Sequence, residues 1–234
     1  VNPSGRTADT YVADLTASPW WNNFGDFKYT NASEFNSNAS MFDPEGTSPS
    51  FVNYVEGIYV GYKFYETAAD EGLIDYDKEV VYPFGYGLSY TTFAYSDLQV
   101  SADKVTFTLT NTGKRDDAEV AQLYVAKPDA KIFRPARELK GFAKVFLKAG
   151  ESRTVTIPLD DKAFRYWNVL THCWEVEGGS YQLLVGASVQ DIRLSAELAL
   201  PGTGAPDPYA GKALPDYYTG NVQNIPDVEF KALL

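Results

Sequence analysis

Between Thr91 and about Leu200, apolar and polar residues alternate in short runs: FAYSDLQV, KVTFTLTN, AEVAQLYVAK, RELKGFAKVFL, SRTVTIPL, CWEVEGGSYQLLVGAS and IRLSAELAL. A period of two places successive side chains on opposite faces of a pleated strand, so each run reads as a half-buried β-strand. The runs are broken at Asn111-Thr112-Gly113, Lys148-Ala149-Gly150-Glu151 and Glu177-Gly178-Gly179. Seven or so strands at this spacing predict a two-sheet antiparallel sandwich of about 100 residues. By alternation Leu123, Val125, Phe146, Val155, Trp174, Leu183 and Val185 are candidate inward residues, and Trp167 and Trp174 are expected in the core.

The flanking segments follow other patterns. Residues 1–50 are rich in Asn, Ser, Gly and Pro and show no sustained periodicity, which predicts mostly loop. From 50 to 73 an apolar run with Tyr54, Ile58, Val60 and Tyr62 leads into YKFYETAADEG, expected as an amphipathic helix at about 62–71 closing at Gly72. One helix and one short strand cannot bury their apolar faces alone, so this unit needs the sandwich or another partner. The block YPFGYGLSY at 82–90 pairs two glycines with four large aromatics, as a packed junction between two units would require. Beyond Pro201 the Pro/Gly-rich stretch reads as a linker or strap, before a last apolar turn, DVEFKALL. The fold class expected is therefore mainly β: an antiparallel sandwich, with fibronectin type III-like or immunoglobulin-like topology, preceded by a partial α/β segment.

Charge and composition narrow the chemistry. Twenty Lys plus Arg against 31 Asp plus Glu give a formal net charge of −11 without a basic stripe, so neither nucleic acid nor an anionic membrane surface is an expected partner. No run approaches the roughly 18 apolar residues of a membrane span. A start at VNPSGRTADT, without Met or a leader pattern, is what a piece of a longer chain is expected to show. The single Cys173 and single His172 leave no disulfide and no thiol or imidazole metal cluster, so no cofactor or metal is expected. Their adjacency is most simply a turn beside a strand. The sequons at Asn31 and Asn38 matter only in a eukaryotic secretory setting, and the compartment stays open.

Three residues draw attention as candidates for contact with a substrate. Glu56 is a carboxylate in an apolar setting between Tyr54 and Gly57, where the structural alternative is that it fixes its own loop through hydrogen bonds. Trp20 and Trp21, with Phe24 and Phe27 nearby, offer indole faces on which the C–H groups of a pyranose pack; alternatively one plugs a loop core and the other lies on the surface. Asp26, Asp43 and Glu45 are expected to be solvated, and DYDKE at 75–79 reads as a solvated turn rather than a calcium loop.

Three stretches in order carry a family resemblance. NPSGRTADT at 2–10, YVEGIYVGYKFYE at 54–66 and YPFGYGLSYTTF at 82–93 resemble conserved segments of glycoside hydrolase family 3, and 134–159 with 178–194 resemble its accessory fibronectin type III-like domain. The resemblance implies that 1–90 is the C-terminal part of the family's α/β sandwich domain with a loop-rich insertion at 11–50, and that 91–200 is the fibronectin-like domain. It further implies that 201–234 is a linker or strap that leads, by the likeness of VEFKALL, to a barrel in members with inverted domain order. On the same ground Tyr54, Gly57, Gly61, Tyr62, Phe84, Gly85, Gly87, Leu88, Ser89 and Tyr90 form a structural junction motif. Lys63 stands where the family has Arg, which removes a planar fork, and Tyr82 where it has Phe.

The implied parent is a retaining β-glucosidase-like enzyme hydrolysing terminal β-linked sugars, with its nucleophile and acid/base carboxylates outside 1–234. The implied partners are its remaining catalytic domains and, through them, a carbohydrate. A stand-alone carbohydrate-binding module, or a spacer that forms homo-oligomers, is the alternative.

Overall fold

The computed structural model describes residues 5–23, 27–28 and 50–233. Before the sandwich lie short strands β1 (Tyr11–Val12), β2 (Phe27–Lys28) and β3 (Ser50–Phe51), helices α1 (Tyr62–Asp70) and α2 (Tyr76–Glu79), and strand β4 (Val80–Tyr82). Strands β1 and β4 pair antiparallel, as do β2 and β3. The sandwich strands are β5 (Phe93–Val100), β6 (Lys104–Asn111), β7 (Asp117–Ala126), β8 (Glu138–Leu147), β9 (Ser152–Pro158), β12 (Gly179–Gly186) and β13 (Ile192–Leu200), with a ribbon of β10 (Arg165–Asn168) and β11 (Cys173–Val176) inserted between β9 and β12. Two helices follow, α3 (Pro215–Thr219) and α4 (Asp227–Leu233).

The larger sheet has the order β13-β12-β7-β8 and the smaller β5-β6-β9, all antiparallel. Alternation builds the core between them: Val105, Phe107 and Leu109 of β6 and Val155 and Ile157 of β9 meet Leu123 and Val125 of β7 and Leu183 and Val185 of β12. Full burial of each such side chain stabilises the fold by roughly 1.5–3 kcal/mol. Strand β7 differs from its neighbours in being buried on both faces. Its outward Gln122 and Tyr124 are covered by the segment that precedes the sandwich, so a single strand serves two interfaces.

A second core gathers Tyr59, Phe64, Tyr65, Ala68 and Val80 from the first ninety residues, Phe133 from the loop after β7, and Leu214, Tyr217 and Val222 from the tail. Helix α1 follows the expected span within one residue at its C-terminal end, and its buried face of Phe64, Tyr65 and Ala68 has found the partners it needed. The Pro/Gly-rich tail folds back as a strap across this face. Pro215 occupies the first turn of α3, and Gly220 closes it at φ +69°, where its α-carbon lies so near Thr67 that a β-carbon would crowd that side chain.

Several expectations are corrected. Phe146 is 55% exposed, because Val145 and Leu147 take the inward positions of β8 and alternation turns Phe146 outward beside Ala118. Trp167 and Trp174 are 46% and 52% exposed, because they sit opposite each other on the β10–β11 ribbon, which belongs to neither sheet. The run beginning at Cys173 splits at Glu177-Gly178-Gly179 into β11 and β12. The stretch 75–79 includes a one-turn helix, whose Tyr76 hydroxyl donates to buried Glu66 at 2.7 Å. Asp26, Asn31, Asn38, Asp43 and Glu45, with the side chain of Phe27, lie outside the described residues, as does Phe24.

Replacing Trp174 by Ala is therefore expected to destabilise the chain by only about 1 kcal/mol or less, the range of surface substitutions with some lost packing. Urea titration monitored by far-UV circular dichroism measures it, and a loss near 3 kcal/mol would place the ring in a core.

Candidate functional site

The junction is assembled from two strips of chain and the outer face of β7. Thr7 exchanges main-chain bonds with the 82–90 block: its N–H donates to Tyr86 O (2.8 Å) and its carbonyl accepts from Gly85 N (2.9 Å). Its hydroxyl donates to Pro83 O (2.6 Å) and accepts from Tyr86 N (2.9 Å). Gly85, at φ +78°, lies directly under Gln122, whose amide donates to Gly85 O (3.0 Å) and Ala187 O (2.7 Å). Gly87 has an ordinary φ but is pressed against Arg6 and the carbonyl of Gly5. Arg6 forms a largely buried ion pair with Glu119 of β7. Phe84 stacks on Tyr62 at 4.4 Å between centroids, and the Tyr62 hydroxyl accepts from Leu139 N at 2.8 Å. Ser89 donates to Asp117 at the start of β7, while Tyr54, Leu88 and Tyr90 stand exposed on the rim. Gly57 and Gly61, both at positive φ, bracket the turn that delivers Tyr59 to the second core.

Buried carboxylates lock α1 to the sandwich loops. Glu66 is fully buried and accepts from Tyr76 and from Gln190 (2.7 Å), with Arg137 Nε at 3.8 Å. Arg137 also pairs with Asp70 at 3.0 and 3.2 Å. Burial pushes the Glu66 carboxyl above its ordinary range, against the pull of its hydrogen bonds and of Arg137. Glu138 is held below its ordinary range: burial opposes this, but Lys140 and Lys63 together outweigh it. Lys63 donates to one Glu138 oxygen at 2.9 Å and Lys140 approaches the other at 3.2 Å, so two point charges do here what one planar fork would do.

The raised Glu66 pKa has a defined sign. A carboxyl that binds its proton more tightly when folded contributes stability present below the unfolded value, near pH 4.5, and lost as pH rises through the folded pKa. The difference in melting temperature between the parent chain and Glu66→Gln is expected to change across this window, the parent losing relative stability as pH rises. A difference independent of pH from 4 to 8 would show that Glu66 titrates normally.

The other candidates fall in different places. Glu56 is buried in the turn before Tyr59, beside Tyr217, whose hydroxyl donates to Val55 O at 2.7 Å. The Tyr217 phenol is pushed up to about 12 by burial, with the charges of Glu229 and Glu56 adding to it. Trp20 packs edge-on against Tyr65 at 6.4 Å and joins the second core, whereas Trp21 is exposed. Glu56 and Trp20 thus border the same core without forming an open carboxylate site.

Two concavities flank the loop 132–137. A cleft of about 560 Å³ lies between the end of α1 and the larger sheet, with Asp70, Lys127, Arg134 and Arg137 on its walls. An apolar basin of about 390 Å³ is walled by Ile58, Phe133, Trp167, Trp174 and Tyr209, with Lys63, Glu138, Arg134 and Arg165 among its polar groups. Trp167 and Trp174 meet edge to face at 5.5 Å. Arg134 lies over the Tyr166 ring at 5.5 Å, its Nε faces Glu177 Oε2 at 3.4 Å, and its Nη2 is buried with no hydrogen-bond partner among the described residues. The basin is not legible in the sequence, where the two tryptophans, seven residues apart, are expected in the sandwich core. The signal for the ribbon was present in the near-symmetric RYWN and CWEV flanking a short loop, which is a hairpin pattern.

Residues 119–189 match the family model of the fibronectin type III-like domain. The exo-α-(1→6)-L-arabinopyranosidase of Bifidobacterium longum is 44% identical over 213 residues, 89% of this chain and 24% of that protein. The probable β-glucosidase K of Emericella nidulans is 38% identical over 87% of this chain and 21% of its own length. Among solved structures, the Bifidobacterium adolescentis glycoside hydrolase family 3 β-glucosidase superposes with a TM-score of 0.71 at 38% identity, covering 95% of this chain and 30% of that one. Thermotoga neapolitana β-glucosidase 3B in complex with α-D-glucose superposes at 0.67 and 35% identity, over 85% of this chain and 25% of that one. The sandwich is a fibronectin type III-like domain. Along most of its length the chain is related to glycoside hydrolase family 3 β-glucosidases, and it spans about a quarter of the length of the curated relatives it matches.

Proposed function

We propose that the chain is a non-catalytic portion of a retaining β-glycosidase that removes terminal β-linked sugars, comprising the accessory sandwich and the end of an α/β domain. The observation that carries this is the extent of the similarity: the 213 matched residues exceed the 110 residues of 91–200, so the relationship takes in flanking segments as well as the sandwich. The segments that flank the sandwich are locked to each other through Thr7, to β7 through Gly85 and Arg6, and to the sandwich loops through Glu66 and Arg137. In this reading the sandwich holds the last helix of the α/β domain at a fixed angle, and the remaining catalytic domains are the partners. Retaining hydrolysis needs two carboxyl groups about 5–5.5 Å apart, one ionised and one protonated. The buried acidic groups among the described residues, Glu56, Glu66, Asp117, Glu119 and Glu229, are instead engaged by other parts of the chain.

The isolated 234-residue chain is expected to give no turnover of an aryl β-glucoside above buffer, while the protein that contains it hydrolyses the same compound. Activity of the isolated chain that survives repurification, or inactivity of the longer protein on aryl glycosides, would overturn the reading. A second reading, a carbohydrate-binding role for the chain itself, is favoured by one observation, the open Trp167–Trp174 basin.

A further inference from the structure

We propose that the basin between the β10–β11 ribbon, the loop 132–135 and the start of α1 binds a neutral β-linked gluco-oligosaccharide, with one pyranose ring lying on the Trp167–Trp174 pair. The choice of sugar rests on the glycosidase reading; the site rests on five features of the basin.

Its volume, about 390 Å³, lies within the roughly 300–1,000 Å³ of ligand pockets. Its floor is aromatic and open: the two indoles are about half exposed, and because they meet edge to face at 73° the edge-donating ring does not have its faces covered by the other. A β-glucopyranose with equatorial hydroxyls presents flat C–H faces that fit such a surface and directs its hydroxyls outward. The third feature is the Arg134 guanidinium on the wall: its Nε faces Glu177 Oε2 at 3.4 Å, while its Nη2 has no hydrogen-bond partner among the described residues and is a donor that a sugar hydroxyl reaching it would satisfy.

Charge decides against an anionic ligand. Arg134 faces Glu177, Arg165 pairs with Asp161 at 3.0 Å, and Lys63 shares Glu138 with Lys140, so each cation at the basin is already engaged by a carboxylate. A phosphate or uronate would have to displace one of these carboxylates to pair with a cation there, whereas a polyhydroxy ligand needs only donors and acceptors. The ribbon is also held in place. Asn168 is fully buried, donates to Pro206 O at 2.8 Å, and its side-chain oxygen accepts from Leu170 N at 2.9 Å, which fixes the turn between the two tryptophans.

Calorimetric titration of the 234-residue chain with cellotetraose tests the proposal, with tryptophan fluorescence as a parallel readout. Saturable binding is expected. Trp167→Ala and Trp174→Ala are each expected to weaken it about tenfold or more, and Arg134→Met by a smaller factor. Trp167→Phe, which keeps an aromatic surface, should weaken it less than Trp167→Ala, and Trp21→Ala, an exposed tryptophan elsewhere, should leave it unchanged. Circular dichroism checks that each variant is folded. Absence of saturable binding by the unsubstituted chain, or binding undiminished in the Trp167→Ala/Trp174→Ala double variant, overturns the site. Because the catalytic reading is tested by turnover in the longer protein, an active protein whose isolated chain binds no cellotetraose refutes this site alone. An inactive one refutes the glycosidase reading whatever the titration shows. If cellotetraose fails to bind and the basin is protected from hydrogen exchange only in the longer protein, the aromatic floor is a contact for another domain and the proposal falls.

Discussion

Replacing Tyr217 by Ala is expected to destabilise the chain by about 3–5 kcal/mol and to release the strap, 201–233, from the second core. The ring is fully buried and packs on Phe133 at 5.5 Å, its hydroxyl donates to Val55 O at 2.7 Å, and its N–H donates to Glu229 Oε1 at 3.0 Å. The Tyr59 hydroxyl donates to its carbonyl. One residue therefore joins the strap to the turn before α1, to the sandwich loop and to α4. Truncation leaves a cavity and strips the hydrogen bond from the part-buried carbonyl of Val55 at the same time. At about 2–4 °C per kcal/mol for a domain of this size, the melting temperature should fall on the order of 10 °C. Hydrogen exchange of α3 and α4 should quicken while β6, β7 and β12 remain protected. A melting temperature within 2 °C of the parent chain would show that the strap is held by other contacts.

The second large effect is expected at the junction. Gly85→Val should destabilise the chain by about 3 kcal/mol or more, as the sum of a positive-φ penalty for a β-branched residue and overpacking against Gln122. The backbone φ of +78° is in the region that β-branched residues avoid, and the new side chain would displace Gln122 from its bonds to Gly85 O and Ala187 O. Gly72→Ala is the control for φ alone, since Gly72 has φ +71° but open space around it, and it should lose only about 1 kcal/mol. Equal losses in the two variants, measured by chemical denaturation, would show that the close approach to Gln122 contributes nothing.

Most of the sandwich was legible because its strands obey a local rule. In KVTFTLTN the alternation that marks a strand also selects the residues that face the core, and Val105, Phe107 and Leu109 are buried as that rule requires. Helix α1 was legible for a similar reason, its apolar face recurring with helical spacing. What alternation does not carry is which sheet a strand joins. Trp174 and Phe146 fit the same pattern as buried neighbours, yet one lies on a separate ribbon and the other on the outward phase of its strand. The candidate site was poorly legible because its parts come from 58–63, 132–138, 165–174 and 209, which the folded chain alone brings together.

By itself the amino-acid sequence determined the local choices here: period-two strands from Phe93 to Leu200, a helix at Tyr62, two glycines among the aromatics of 82–90, and a family likeness in three ordered stretches. Tertiary structure alone decided that β7 is covered on both faces, that the Pro/Gly-rich tail returns as a strap, and that two tryptophans stand open in a basin that Arg134 also lines. The division has a physical cause. Backbone preference and hydrophobic period act over a few residues and are written in each segment, whereas burial depends on which distant surface covers a face, and Gln122, Tyr217 and Trp174 acquire their surroundings only when the chain closes on itself.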